Sequence, residues 1–355
     1  MKILAINPGS TSTKIAIYNH GEKILSETLR HSTEELKDFE NIIAQFDFRT
    51  NIIKEFLSKN SHSLKDFDGI IGRGGLLKPI ESGLYKVSEK MLKDLRSCDF
   101  GEHASNLGGI IAQTLSKEAD CDAFIADPVV VDEMDEIARV SGIPEIERIS
   151  IFHALNQKAV AKRAAKDLDS SYEDCNFIVV HLGGGISVGA HKKGRVVDVN
   201  NALDGDGPFS QERSGGVPIG GLVKMCFSGK YTLAEIKKKI KGKGGLVAYM
   251  GTNNATEVEE AVTAGDEKAY LIYNAMAYQV SKEIGALAAA LKGEVDAIIL
   301  TGGIAYDKNH LVPWIKEQVE FIAQVLVYPG EDEMKALHEA CQEGLKNREI
   351  IKEYR

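Results

Sequence analysis

Two stretches of this sequence read as one hairpin written twice. Residues 3–23, ILAINPGSTSTKIAIYNHGEK, and residues 177–197, FIVVHLGGGISVGAHKKGRVV, each run an apolar strand into a polar residue, Asn7 or His181. A turn of small residues follows, then an alternating second strand and a glycine turn at Gly21 or Gly194. The offset is 174 at the first position and 173 at the glycine turn, so the alignment needs one residue of slip. A second pair appears in the same order: DGIIGRGGL, residues 68–76, matches DAIILTGGI, residues 296–304, with Asp, two Ile and Gly-Gly in register. Strand-turn-strand patterns recur by chance, and either pair alone carries little. Both pairs in one order indicate an internal duplication.

Between these strands, apolar residues recur at spacings of three and four over 34–59, 104–117, 153–168, 233–241, 256–263, 266–292 and 333–346, which predicts helices. Gly-rich strands alternating with helices indicate an α/β fold, and two similar halves imply a cleft between them. With 355 residues, 43% of them hydrophobic, the chain is long enough for two domains with separate cores. No Ser/Pro-rich linker separates the halves, so they are expected to join through helices.

Composition removes several function classes. The formal net charge is −9, with no long run of one sign, which argues against a nucleic-acid partner. No apolar stretch reaches the roughly 18 residues of a membrane span, and the first thirty residues lack the order of a signal peptide. A soluble cytoplasmic protein is expected. Cys98, Cys121, Cys175, Cys226 and Cys341 form no C-x-x-C pair, so structural thiols are the default.

The first turn is crowded with hydroxyls. Gly9, Ser10, Thr11 and Ser12, with Thr13 and Lys14 following, offer backbone N–H groups, hydroxyls and a cation. In the second turn Gly183, Gly184 and Gly185 offer bare backbone. Such surfaces suit phosphate, and two of them could grip a polyphosphate. Hydroxyl-rich turns also occur where the side chains only satisfy local backbone, and Lys14 reads equally as a solvated strand residue. Neither a P-loop nor a well-placed G-x-G-x-x-G is present.

The segments INPGSTSTKIAIY, GRGGLL, DPVVVDEM, IFHALNQKAVA, VVHLGGGISVGAH, DVNNALDGDGPFSQERSGGVP and ILTGGIA together resemble the acetate and butyrate kinase (acetokinase) family of the sugar kinase, chaperone ATPase and actin superfamily. The resemblance runs from residue 3 to about residue 345 and is greater to the butyrate than to the acetate branch. It implies two duplicated ribonuclease H-like domains flanking a nucleotide cleft. The first would be 1–150 joined by the C-terminal helix 333–355, and the second 151–332, carrying the adenosine site. The implied reaction is reversible, in-line phosphoryl transfer between ATP and butanoate, giving butanoyl phosphate and ADP. Isobutyrate, propionate and acetate are alternative acids, and a non-catalytic nucleotide-gated binding protein is the rival from another class.

Transfer between two anions needs cations and orienters rather than covalent chemistry. The resemblance assigns Arg73 and Arg213 to the carboxylate and the transferring phosphoryl group, Asp127 to metal or substrate placement, and His153 to a phosphoryl oxygen. Read from the residues alone, the arginines also suit surface ion pairs, Asp127 a strand-terminating turn, and His153 a helix cap. By the resemblance His181 lies near the phosphates, and Asn7 and Glu333 govern Mg2+. The choice among Glu331, Asp332 and Glu333 stays open, because three acids at a helix start also favour the helix dipole. Gly302, Gly303 and Ile304 are expected to face adenosine. Asn254, Thr256 and Ala305-Tyr306-Asp307 depart from the family pattern around that site. Short-chain carboxylate or acyl phosphate, nucleotide and further copies of the chain are the expected partners.

Overall fold

The computed structural model describes residues 1–355, with the side chain of Thr33 excepted. Twelve strands form two sheets: β1 Lys2–Gly9, β2 Ser12–Asn19, β3 Glu22–Arg30, β4 Gly69–Arg73, β5 Leu84–Lys86, β6 Asp122–Ala126, β7 Asn176–Leu182, β8 Ile186–Lys192, β9 Arg195–Val199, β10 Ala297–Gly302, β11 Val325–Pro329 and β12 Ile351–Lys352. The helices that matter below are α1 Phe46–Lys59, α2 Asn106–Ala119, α3 Ala154–Asp167, α4 Glu267–Ala290, α5 Leu311–Val319 and α6 Glu333–Lys346.

The duplication is plain in the strand orders. One sheet runs β12-β5-β6-β4-β1-β2-β3 and the other β11-β10-β7-β8-β9. Without β12 and β5, the two orders are the same. So are the directions: β1/β2 and β7/β8 are antiparallel, while β1/β4 and β7/β10 are parallel. The slip of one residue falls in the turns. Asn7 pairs with Lys14 across the first hairpin, whereas His181 pairs with Ser187 across the second, so the second connection is one residue shorter.

Each sheet is covered by helices that its strand pattern dictates. β7 is buried along its whole length, as expected of a central strand with both faces covered. Phe177, Val179, Ala297 and Ile299 on one face pack with Ala161, Ala164 and Ala165 of α3. On the other face Ile178, Val180, Ile298 and Leu300 pack with Tyr273, Met276, Val280, Ile284 and Leu287 of α4, spaced at three and four. In the first sheet α2 comes so close to β4 that a Cβ on Gly72 would run into the backbone of Gly108. α6 lies against β1, β4 and β6. Edge strand β3 is largely exposed and carries Glu22, Lys23, Glu27 and Arg30, charges that discourage edge pairing.

Two compact units result, Met1–Val131 with Asp332–Arg355, and Asp132–Glu331. The first break falls at 131/132 rather than 150/151, because the segment after Val131 is tied to the second sheet. The Glu133 carboxylate accepts from Lys158 Nζ (2.7 Å) and Val196 N (3.0 Å), and Asp135 N donates to Val197 O. As a result α3, which follows the strands of the first repeat, covers the second sheet, and α6, which follows those of the second repeat, covers the first.

The expected helix over 34–59 is interrupted. A capping box at Ser32 and Glu35 starts a helix of one turn, Thr33–Leu36. Asn41 Oδ1 then accepts from Ala44 N, and Ile42 N donates to Glu102; these side-chain bonds compete with helix continuation. No helix among the described residues is long and apolar enough to cross a membrane.

Candidate active site

In the first unit the hydroxyl-rich turn is organised from behind by a residue that the sequence reading passed over. Arg49 of α1 is fully buried, and its guanidinium donates to the carbonyls of Gly9 (2.8 Å), Ser12 (2.8 Å) and Ser10 (3.0 Å). It also donates to Thr13 Oγ1 and Gln45 Oε1. The remaining turn carbonyl, Thr11 O, accepts from His31 N. N–H and C=O point oppositely across a trans peptide, so pinning the carbonyls of Gly9 and Ser10 inward turns the N–H groups of Ser10 and Thr11 outward. Burial lowers the Arg49 pKa to about 10, which leaves it charged at neutral pH. A cation thus sits behind dipoles whose positive ends face solvent. The Lys14 side chain forms no hydrogen bond or ion pair among the described residues and is half-buried beside the turn.

Asn7, at the end of β1, meets Arg73, at the end of β4, and Glu333, the first residue of α6. The Glu333 carboxylate takes both arms of the Arg73 guanidinium, each at 3.1 Å, and accepts from Asn7 Nδ2 at 2.6 Å. Among the three neighbouring acids, Glu333 is therefore the one at Asn7. Asp332 occupies the N-cap position of α6, and Glu331 turns to the second unit. The donor set at Asn7 and Glu333 is hard oxygen, one amide carbonyl and one carboxylate. This suits Mg2+ held largely through water and phosphate, not an all-protein cage; among the described residues no three Asp, Glu, His or Cys side chains converge so as to hold a metal ion.

Asp127 directly follows β6, whose last residue, Ala126, pairs with Arg73 at the end of β4. Its Oδ1 accepts from Ser82 Oγ (2.6 Å) and Gly83 N (2.8 Å), and its φ is +37°. A non-glycine residue held in that region stores backbone strain, which recurs at functional sites. His103 bonds Ser105 just ahead of α2.

The second unit brings two histidines, an amide and a guanidinium to its strand ends. His181 is buried at the end of β7, where its Nδ1 accepts from Asn156 Nδ2 (2.9 Å) and its Nε2 lies 3.0 Å from Glu331 Oε1. Asn156 also donates to Thr301 Oγ1 (3.2 Å). His153, at the N-cap of α3, stacks on His181 with centroids 3.6 Å apart and planes within 4°. Arg213 leans on Gly185, where a Cβ would collide with its guanidinium, and donates to Ala202 O. Its Nε is buried without a partner, and no acid forms an ion pair with it among the described residues. Burial lowers its pKa. A desolvated guanidinium without a counter-ion is prepared for an anion.

Among the glycines, Gly184 is exposed and Gly183 buried, and Ser210 Oγ donates to Gly184 O at 2.6 Å. Gly302 has φ +91° and approaches the backbone of Leu182, where a Cβ would not fit, whereas Gly303 meets open space. The Ile304 side chain is only 4% exposed and packs in the core, so its backbone alone could face a ligand. Two of the departures from the family pattern have structural work. Asn254 caps the helix Ala255–Thr263, and Asp307 accepts from the N–H groups of Asn309, His310 and Leu311, leading into α5, and from Tyr273 Oη. The structure thus gathers Asn7, Arg73 and Glu333 in one unit and His153, His181 and Glu331 in the other. Arg49 and Asn156 were missed; the two adjacent amides in IFHALNQKAVA, inside an otherwise apolar helical run, were the available signal for Asn156.

The chain is similar to known proteins in sequence and in fold. Residues 146–333 match the model of the acetokinase family. The chain is 59% identical over 354 residues to butyrate kinase 2 of Clostridium acetobutylicum, covering 100% of this chain and 99% of that one. It is similar in structure to acetate kinase of Porphyromonas gingivalis, with TM-score 0.79 and 21% identity over 96% of this chain and 99% of that one. It is also similar to a propionate kinase of Francisella tularensis, with TM-score 0.75, 20% identity and the same coverage.

Proposed function

The chain belongs to the acetokinase family, and from that premise we propose that it transfers the terminal phosphoryl group of ATP reversibly to the carboxylate of butanoate. The observation that carries the choice of acid is the 59% identity to a butyrate kinase along the whole of both chains. A carboxylate oxygen forms the new bond to phosphorus, and the bond from phosphorus to the bridging oxygen of ADP breaks. The nucleophile is already an anion and the leaving group departs as one, so no proton need move and no general base is required. What the chemistry demands is neutralisation of charge and alignment.

The residues suit those demands. Outward N–H groups and hydroxyls at Gly9, Ser10, Thr11 and Ser12, with Lys14, and the glycine backbone at Gly183, Gly184 and Gly185, are assigned to phosphate oxygens. Arg213, desolvated and without a counter-ion, and Arg73, aimed by Glu333, are assigned to the two reacting anions, where guanidinium forks match carboxylate and phosphoryl oxygens. His153 donates a hydrogen bond to a phosphoryl oxygen, beside His181. Asp127, fixed by Ser82 and Gly83, orients groups around the transfer. The backbone of Gly302, Gly303 and Ile304 is assigned to adenosine. Asn7 and Glu333 would hold Mg2+ through water, and the ion supplies neutralisation of the nucleotide phosphates. A cytoplasmic location and self-association complete the reading, the latter tested by sedimentation.

The test is hydroxylamine trapping with ATP, Mg2+ and acids from acetate to valerate. Hydroxamate peaking at butyrate is the expected result. A peak at acetate or propionate corrects the acid, and no hydroxamate with any acid overturns the reaction.

A further inference from the structure

Beneath His153 runs a chain of fully buried polar groups that phosphoryl transfer itself does not use. Ser187 and His191 lie four residues apart on β8, hence on one face, with Gly189 between them. Gln157 of α3 enters the gap, and a Cβ on Gly189 would meet its Oε1 at 2.6 Å. From the far end inward the contacts are Tyr172 Oη to His191 Nδ1 (2.7 Å), His191 Nε2 to Gln157 Oε1 (2.9 Å), Gln157 Nε2 to Ser187 Oγ (2.8 Å) and Ser187 Oγ to His153 Nδ1 (2.9 Å).

The direction of every bond follows from one fixed point. Gln157 also meets the backbone carbonyl of Ser187 at 3.0 Å, and a carbonyl only accepts, so the Gln157 end facing it is the NH2 group. Oε1 therefore faces His191, whose Nε2 must carry a hydrogen. Burial holds the His191 pKa far below its usual range; the ring is neutral, its Nδ1 accepts, and Tyr172 donates. At the other end Ser187 Oγ accepts from Gln157 Nε2, and the buried hydroxyl needs an acceptor for its own hydrogen; among its contacts here that acceptor is His153 Nδ1.

We infer that Tyr172, His191, Gln157 and Ser187 are positioning residues that fix His153 in the tautomer bearing its hydrogen on Nε2. His153 thereby presents a donor, not a lone pair, to a phosphoryl oxygen. This rests on the assignment of His153 to that oxygen. A lone pair there would repel the transferring group. An apolar filling of the same space would leave the tautomer to chance, which is a reason to bury four polar side chains.

The test is two-bond 1H–15N correlation of the imidazoles in protein labelled with 15N-histidine, with the His153 signals assigned by their loss in His153→Gln. The Nε2–H pattern at neutral pH in the wild type is expected; an Nδ1–H pattern or an imidazolium overturns the inference and needs no variant to do so. In Ser187→Ala the His153 signals should move to a mixture of tautomers, and kcat should fall about five- to ten-fold, the order of one neutral hydrogen bond, with KM for ATP and butyrate unchanged. An unmoved His153 spectrum, or a changed tautomer at unchanged kcat, overturns it. Tyr172→Phe, which leaves the strand intact, should give a smaller shift in the same direction; no shift there removes Tyr172 and His191 from the chain. Absence of acyl hydroxamate in the wild type would sink the kinase reading instead, and the imidazole spectrum would still decide the tautomer.

Discussion

Arg73 stands one residue beyond the Ile6–Gly72 pair of the first sheet, at the position that Thr301 holds beside His181 in the second. Each pair of strand ends is spanned by one side chain from the start of a helix. Glu333 holds Asn7 and Arg73 through an ion pair, and Asn156 holds His181 and Thr301 through a neutral amide. The turns differ in the same way: a buried arginine organises the first and the Ser210 hydroxyl braces the second. A repeated topology fixes where side chains arrive, and residue type decides whether a station is held by charge or by neutral hydrogen bonds. Arg213, a cation of the second unit's site, forms no ion pair among the described residues, and its Nε is without a partner.

The largest expected effects separate those two arginines. Arg213→Ala and Arg73→Ala should each lower turnover by about 10²–10³, the scale of losing a charge-stabilising donor. Only Arg73→Ala should also lower the melting temperature, because it orphans Glu333, whereas Arg213→Ala removes an uncompensated charge. Equal melting losses in both would break the comparison. Next is Arg49→Met, which orphans three turn carbonyls and should cost at least about 3 kcal/mol in denaturant titration, at about 1–3 kcal/mol for each unsatisfied group.

Acid should sharpen the comparison from another side, since each sheet buries a neutral histidine, His338 against Tyr18 in the first and His191 in the second. Burial, then Lys346, lowers the His338 pKa to about 4. Its folded value lies below the unfolded one of about 6.5, so its contribution is complete above that pH and is lost as pH falls from about 6.5 towards 4. His338→Gln should flatten that part of a stability-pH profile. The smallest effect belongs to Ser210→Ala, about 1 kcal/mol for one hydrogen bond, and a loss matching that of Arg49→Met would erase the distinction between the turns.

What could be read in the sequence was what is written locally. Alternation with period two, glycine turns and the Gly-Gly strand ends gave both hairpins, and the spacing over 333–346 gave α6 to the residue. Arg49 escaped because, on a helical wheel, it looks like one more polar residue among Asp47, Lys54 and Glu55; only docking against the turn makes it interior. The choice among Glu331, Asp332 and Glu333 escaped for a related reason. The direction of each depends on how the chain turns between the two units, and three adjacent acids carry no mark of that turn. Which sheet each helix covers is likewise decided by tertiary packing, to which periodicity is blind.

The crossed placement of α3 and α6 bears on where such a chain could have come from. A gene of half this length, encoding one repeat, would leave a face of its sheet bare unless two copies of the product traded their last helices. Such an ancestor would have been an obligate twin, unable to fold alone. Fusing the two genes converts a trade between molecules into one within a molecule, and releases the copies from identity. From then on the first copy, with Arg49 and Asn156, and the second, with Glu333 and three glycines, were free to diverge.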